Sequence, residues 1–169
     1  MRRSRGSARR YTRRIKTIKY SNETTGFSGV WTITDGVQVN NSVLIAPTSI
    51  QGTRKCKNFE LSLCGSPWSE APTDVPIIWA LVYVPQGTTP SQIQVPDPGN
   101  ASSIYEPNQN VIMSGIWPGN LTSNYKVKTR LARNLNSGDS IYLLFRTAFD
   151  VADTVNKSIV ATLNYAIAY

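Results

Sequence analysis

The stretch IIWALVYV, residues 77–84, is followed at once by PQGTTPSQIQVPDPGNASSIYEPNQN, residues 85–110, and the contrast between the two decides the fold. Eight apolar side chains in a row are far short of the ~20 that a membrane-spanning helix requires. A strand buried on both faces of a two-sheet core accounts for them. The segment behind it carries Pro85, Pro90, Pro96, Pro98 and Pro107. A connection of that length inside a compact domain is expected to have a job of its own, such as contacting neighbouring subunits at the molecular surface.

Outward from this run, short strand-like segments alternate with clusters of Gly, Pro, Asn and Ser. They are Ser28–Thr34, Val37–Ile45, Arg54–Leu63, Val111–Trp117, Asn124–Leu131, Ser140–Ala148 and Lys157–Ala168. In FELSL, Phe59, Leu61 and Leu63 point one way. In IVATLNYAIAY, Ile159, Ala161, Leu163, Tyr165 and Ile167 share one face, with Thr162 and Asn164 on the other. The turn NLNSGDS, residues 134–140, has the chemistry of a hairpin with Gly138 free to take positive φ. No segment shows sustained helical periodicity. With Ile77–Val84 the strands number eight, and long connections between them favour two packed antiparallel sheets. The absence of a Cys-Trp-Cys signature argues against an immunoglobulin-like sandwich, so the fold expected is all-β, a single eight-stranded jelly roll.

Charge divides the chain differently. The first twenty residues, MRRSRGSARRYTRRIKTIKY, hold Arg2, Arg3, Arg5, Arg9, Arg10, Arg13, Arg14, Lys16 and Lys19, and no acid appears before Glu23. The chain has 18 basic and 10 acidic residues, so its formal charge of +8 belongs to this tail and the remainder is close to neutral. A segment so polar cannot bury enough apolar surface to offset its ordering entropy. Residues 1–20 are therefore expected to form a disordered arginine-rich arm, and residues 21–169 the jelly-roll domain. The arm lacks the apolar stretch of a secretory signal. A soluble intracellular chain is expected, with Cys56 and Cys64 as free thiols, because both fall in one strand whose length keeps them apart.

Chemistry is limited by the absence of histidine, which removes Ser-His-Asp and Cys-His catalysis and His-bearing zinc sites. The acids are scattered, Asp150 and Asp153 reading as a strand-end loop, and neither a P-loop nor an EF-hand spacing occurs. No enzyme activity, catalytic residue, cofactor or metal is expected. Arginine, by contrast, forks onto two phosphate oxygens at once. A flexible run of it neutralises a nucleic acid without regard to sequence, and Tyr11 and Tyr20 can add base stacking. The cluster RRYTRRIK, residues 9–16, also has the composition of a nuclear localisation signal. Within the domain, Lys126, Lys128 and Arg130 recur at period two, with Tyr125, Val127, Thr129 and Leu131 on the opposite face. Arg54, Lys55 and Lys57 form a second cluster. Both clusters suit a phosphate-facing surface, or an ordinary solvated strand face.

Three stretches taken together, WALVYVPQGTTP at 79–90, IYEPNQNVIMSGIWP at 104–118 and LARNLNSGDSIYLLFR at 131–146, lie behind the arginine-rich arm. In that order and spacing the series resembles the capsid proteins of circular Rep-encoding single-stranded DNA viruses, the circovirus-like group. The final strand, KSIVATLNYAIAY, is similar only in general character. The resemblance implies a jelly-roll coat subunit assembling as about sixty copies into the smallest icosahedral shell. Its partners would be a single-stranded DNA genome, other copies of itself and host nuclear import machinery, with no membrane insertion. It would be located in the virion and, during assembly, the host nucleus. The short arm and compact loops depart from larger members, so no receptor-binding residue is carried over. The alternatives are a coat protein of a small satellite or single-stranded RNA virus, a basic nucleic-acid-binding β-domain that never assembles, and a carbohydrate-binding or cytokine-like jelly roll with an incidental tail.

Overall fold

The computed structural model describes residues 18–33, 39–49, 51–66, 75–94, 103–106, 108–118, 124–149 and 154–169. Arm residues Arg2 to Lys16, with Tyr11, lie outside the described residues, as do Asp150 and Asp153. Eight strands follow one another: β1 (Ser21–Ile33), β2 (Val39–Ile45), β3 (Arg54–Gly65), β4 (Ile77–Val84), β5 (Val111–Trp117), β6 (Tyr125–Leu135), β7 (Ser140–Thr147) and β8 (Val155–Ala168). The only helical element among the described residues is a single 3-10 turn at Asn108–Asn110.

Two four-stranded sheets form, ordered β1-β8-β3-β6 and β2-β7-β4-β5. Every pairing is antiparallel, and β1 meets β8, β2 meets β7, β3 meets β6 and β4 meets β5. That nesting is a long two-stranded ribbon, folded over so that its halves alternate between sheets, which makes the chain an eight-stranded jelly roll. The connection from β4 to β5 closes the tip of the ribbon, with residues 85–94, 103–106 and 108–110 of it described.

The core lies between the sheets. Phe59, Leu61 and Leu63 of β3 and Ile159, Ala161, Leu163, Tyr165 and Ile167 of β8 face Ile77, Trp79 and Leu81 of β4 and Ile141, Leu143 and Phe145 of β7. All are buried, as period-two alternation requires. The alternate residues of β4 are covered as well, from the other side of the sheet. Ile78, Ala80, Val82 and Val84 are also buried, but with Leu144, Ile93 and Tyr105 in a second cluster on the outside of the sheet. IIWALVYV is thus buried on both faces, one by the opposite sheet and the other by its own connection. Gln94 N–H donates to the Ile104 carbonyl at 2.8 Å, Ser91 N–H donates to the Tyr105 hydroxyl at 3.3 Å, and Arg146 Nη1 donates to the Ile93 carbonyl at 2.6 Å. Covering an apolar sheet face is a job that explains so long a loop.

Two local expectations change. Strand β1 begins seven residues before Ser28, because Ser21–Phe27 pair with Ala161–Ile167 of the long β8; an available ladder overrides the weak strand propensity of SNETTG. The turn after β6 is not a hairpin. Strand β6 pairs with β3 while β7 pairs with β2 and β4, so residues 136–139 form a corner between sheets. Gly138 does take positive φ, 83°, and a Cβ there would strike Gln86 at 2.5 Å.

Asp139 organises that corner. Its carboxylate, 4% exposed, accepts from the Tyr83 hydroxyl at 2.8 Å, Gln86 N–H at 3.0 Å and Asn136 N–H at 2.7 Å. An amide cannot accept at both ends. Asp139→Asn should therefore cost about 2–4 kcal/mol of stability, read as a lowered urea midpoint; an unchanged midpoint would deny the carboxylate this role.

Two tyrosines give the fold an alkaline limit. Burial, then the bond to Asp139, pushes the Tyr83 phenol up to about 12. Tyr165 is raised by burial and by its 2.9 Å bond to Glu23 Oε2. The native state holds these protons more tightly than the unfolded chain, whose tyrosines titrate near about 10. Their contribution is complete below that pH and is lost as pH rises through the native values. In a 295 nm titration Tyr83→Phe should remove one late-ionising phenol and flatten the loss of stability from pH 10 to 12.

Candidate nucleic-acid interface

Pleating sorts the side chains of β6 into two sets. Tyr125 and Val127 pack against the core, while Lys126, Lys128 and Arg130 are exposed on the opposite face. Leu131, expected with the inward set, is 45% exposed. A bulge is the cause: Phe59 stands opposite Thr129 and Lys57 opposite Ala132, so Arg130 and Leu131 face the single residue Asn58. Asn58 has φ of 56°, the only positive value at a non-glycine among the described residues, and asparagine tolerates that conformation better than most residues.

The bulge lies in the open face of the β1-β8-β3-β6 sheet. Directly across the four strands run Thr24, Asn164, Glu60 and Lys128, with Gly26, Thr162, Ser62 and Lys126 in the adjacent row. Lys128 Nζ lies 2.8 Å from Glu60 Oε2. That bond first, and then the charges of Lys128 and Lys126, hold the Glu60 carboxyl below its ordinary range. Glu60 is the one acid among the outward positions described on this face. Two shallow hollows meet here. One of about 500 Å³ is lined by Asn58, Glu60, Lys128, Thr129 and Arg130. Another of about 330 Å³ is lined by Glu23, Thr24, Asn58, Glu60, Asn164 and Tyr165 among others, so two carboxylates border it.

Lys55 and Lys57 are half-buried and stand opposite Asn134 and Ala132 on the same sheet. The Lys57 ammonium sits 3.7 Å from the centre of the Tyr20 ring, a cation–π contact. The root of the arm is thereby fastened beside this face, with Lys19 exposed next to it. Arg54 does not join the others. It is 8% exposed, and its Nη1 and Nη2 donate to the carbonyls of Ala46 at 3.3 Å and Asp139 at 3.1 Å. It bridges the segment after β2 to the Asp139 corner.

Other cations of the domain are similarly committed. Arg133 Nη2 donates to the Gln109 and Val111 carbonyls at 3.1 and 3.2 Å. Lys157 is fully buried, donating to the Ser66 carbonyl at 2.7 Å and lying 5.0 Å from the Trp117 ring centre. The outer face of the other sheet is apolar beneath its loop, and its Arg146 is bonded to that loop. The open cations of the domain thus collect on the β1-β8-β3-β6 face. Sequence pattern located Lys126, Lys128 and Arg130 but missed Asn58, Glu60 and Asn164. The signal available was an asparagine inside the strand run of β3, a residue of low strand propensity that tolerates positive φ.

Among the described residues no group of three His, Cys, Asp or Glu side chains could hold a metal ion, and no helix is long and apolar enough to cross a membrane. No family model matches the chain, and no curated protein matches it at a significant level. What fold and surface define together is a jelly-roll domain with one covered apolar face and one open cationic face.

The two kinds of cation should separate in a stability assay. Changing Lys126, Lys128 and Arg130 together to glutamine should barely move the urea midpoint, because exposed ion pairs contribute little. Arg54→Met should cost about 2–4 kcal/mol, since it strips two carbonyls of their donor and opens a buried corner. Equal losses from both variants would contradict the distinction.

Proposed function

We propose that the chain is the coat subunit of a small single-stranded DNA virus, assembling as about sixty copies into an icosahedral shell. It packages the genome through Arg2, Arg3, Arg5, Arg9, Arg10, Tyr11, Arg13, Arg14, Lys16 and Lys19. The observation that carries this reading is the continuity of charge: nine cations uninterrupted by an acid run into β1, an edge strand of the sheet whose open face presents Lys55, Lys57, Lys126, Lys128 and Arg130. An arm of this kind neutralises phosphates in any sequence, and a cationic sheet behind it extends the same surface. Arg54 serves this reading only indirectly, by holding the corner.

The resemblance to circovirus-like coat proteins supplies the choice of DNA and the shell. In the same reading the cluster at 9–16 directs import into the host nucleus before assembly. The near-neutral domain supports the proposal independently, because packed copies of it would repel each other weakly.

The test is the mass of the nuclease-treated full-length protein by light scattering, with absorbance at 260 and 280 nm read across the same peak. The expected result is a discrete particle of roughly 1.1 MDa, about sixty chains of 18.7 kDa, holding nucleic acid that DNase degrades once the shell is opened. Deleting residues 2–19 should abolish most of that protected material. A peak of one or a few chains, stripped clean by nuclease, would favour a small binding module instead, and protected material sensitive only to RNase would move the proposal to an RNA virus.

A further inference from the structure

Each sheet ends in two edge strands, and three of the four are blunted against further pairing. Strand β6 carries Lys126, Lys128, Arg130 and Arg133, and its ladder with β3 is interrupted by the bulge. Charges, lysine above all, and bulges are what keep an edge from accepting another strand. Arg133 donates to the Gln109 and Val111 carbonyls, occupying acceptors where β5 begins, and the β4–β5 ladder shifts register between Leu81 and Val82. Strand β2 has seven residues and shifts register between Val43 and Ile45. Strand β1 has none of these devices. Its 13 residues pair with β8 without a register shift, and it contains no Lys, Arg or Pro. Its one charged side chain, Glu23, is bonded to the Tyr165 hydroxyl at 2.9 Å. No described strand pairs with its far side. Thr24, Gly26, Ser28 and Val30 are exposed, and Phe27 on the opposite face is only half-buried. Nor does the root of the arm cover this edge, because Tyr20 turns the other way, across β8 to Lys57 of β3.

We propose that the free edge of β1 pairs with the same edge of a second copy, antiparallel, across a two-fold axis perpendicular to the sheet. The inference rests on the self-assembly reading and adds a contact to it. The partner follows by elimination within the chain: β6 of a second copy brings four cations and a bulge, β2 and β5 are short and broken in register, and β1 itself is the regular, nearly uncharged match. Isologous pairing is also the commonest way to join identical chains. Charge fixes the direction. Parallel strands would set the nine cations of one arm beside the nine of the other, whereas antiparallel strands send the two arms off from opposite ends, where they repel each other less. With Glu23 the one charge in the strand, a register that overlaps most of both strands sets no like charges opposite each other. The perpendicular axis keeps both open faces on one side. The product is a continuous eight-stranded sheet whose outermost strands are the two copies of β6, seven strand spacings or about 34 Å apart. A polyanion on that sheet would meet a cationic stripe at each margin. One strand pairing buries far less than a stable dimer needs, so the contact forms alongside others, at concentrations where the chain assembles.

Hydrogen exchange of the full-length chain, followed by mass spectrometry on the peptide spanning β1, tests the contact. In a lone copy about half of the strand's amides, those pointing away from β8, have no acceptor and exchange fast. At a concentration where light scattering shows assembly they should slow at least roughly tenfold, and they should speed up again on dilution to single chains. Ser28→Lys combined with Val30→Lys, both at exposed positions, should return the peptide to fast exchange and leave the urea midpoint in place. Fast exchange of the β1 peptide in an assembled particle, or protection that the double substitution leaves intact, would overturn the edge pairing and leave the coat reading standing. Slow exchange of residues 2–16 together with β1 would make a neighbouring arm the occupant of the edge, and so would also overturn the pairing. A protected β1 peptide in a two-chain species that never grows into a shell would support the pairing and overturn the coat reading. A single chain at every concentration would overturn both.

Discussion

One buried carboxylate ties the jelly roll together. Asp139 accepts from the backbone of its own turn at Asn136, from the Tyr83 hydroxyl near the end of β4 and from Gln86 N–H at the start of the long connection. Its backbone carbonyl receives Arg54 from the start of β3. Four strands drawn from both sheets thus converge on one residue. A charge taken out of water is tolerated only when its acceptor capacity is filled, so the turn, the hydroxyl and the loop amide must arrive together. That requirement makes the β6–β7 corner a specific junction.

The corner sends β6 into one sheet and β7 into the other, and from this the unequal outer faces follow. Strands β4 and β7 are apolar on both sides, so their sheet needs a second cover, which the ribbon tip supplies with Ile93 and Tyr105. Strands β3 and β6 alternate between apolar and polar on either side of the Asn58 bulge, so their outer face stays open, and there Lys55, Lys57, Lys126, Lys128 and Arg130 gather. A chain that covers one face of a sandwich leaves only the other for a large, flat, charged ligand.

Much of this was legible in the sequence where one residue reports on its own environment. The span Ile77–Val84 is the same in sequence and structure, and so are the inward faces of Phe59–Leu63 and Ile159–Ile167. Where the outcome depends on a distant partner, pattern was silent. The beginning of β1 is strand only because β8 reaches it. Arg54 looks like Lys55 and Lys57 in a string of letters, yet its place beside the Asp139 carbonyl turns it inward. The bulge escaped notice because one extra residue leaves composition unchanged while reversing which side chains point outward, as Leu131 illustrates. The turn at 136–139 has hairpin chemistry, and turn chemistry fixes a reversal of direction without fixing which strands then pair.

The contact between Tyr20 and Lys57 joins the two charged regions. At physiological ionic strength electrostatic influence fades over about 8 Å, so a basic arm and a basic face act on the same polymer only if they lie on the same side of the domain. With the last ring of the arm 3.7 Å from a lysine of that face, the arm starts where the cationic surface ends. For a polyanion bound as proposed, the first phosphates held by the arm would be within reach of β3 and β6, and the cost of confining the strand would be shared between flexible and rigid cations. An arm leaving from the loop-covered side would have to cross an apolar cap before meeting the other charges of its own subunit. The direction of departure therefore matters to the proposed function as much as the number of arginines.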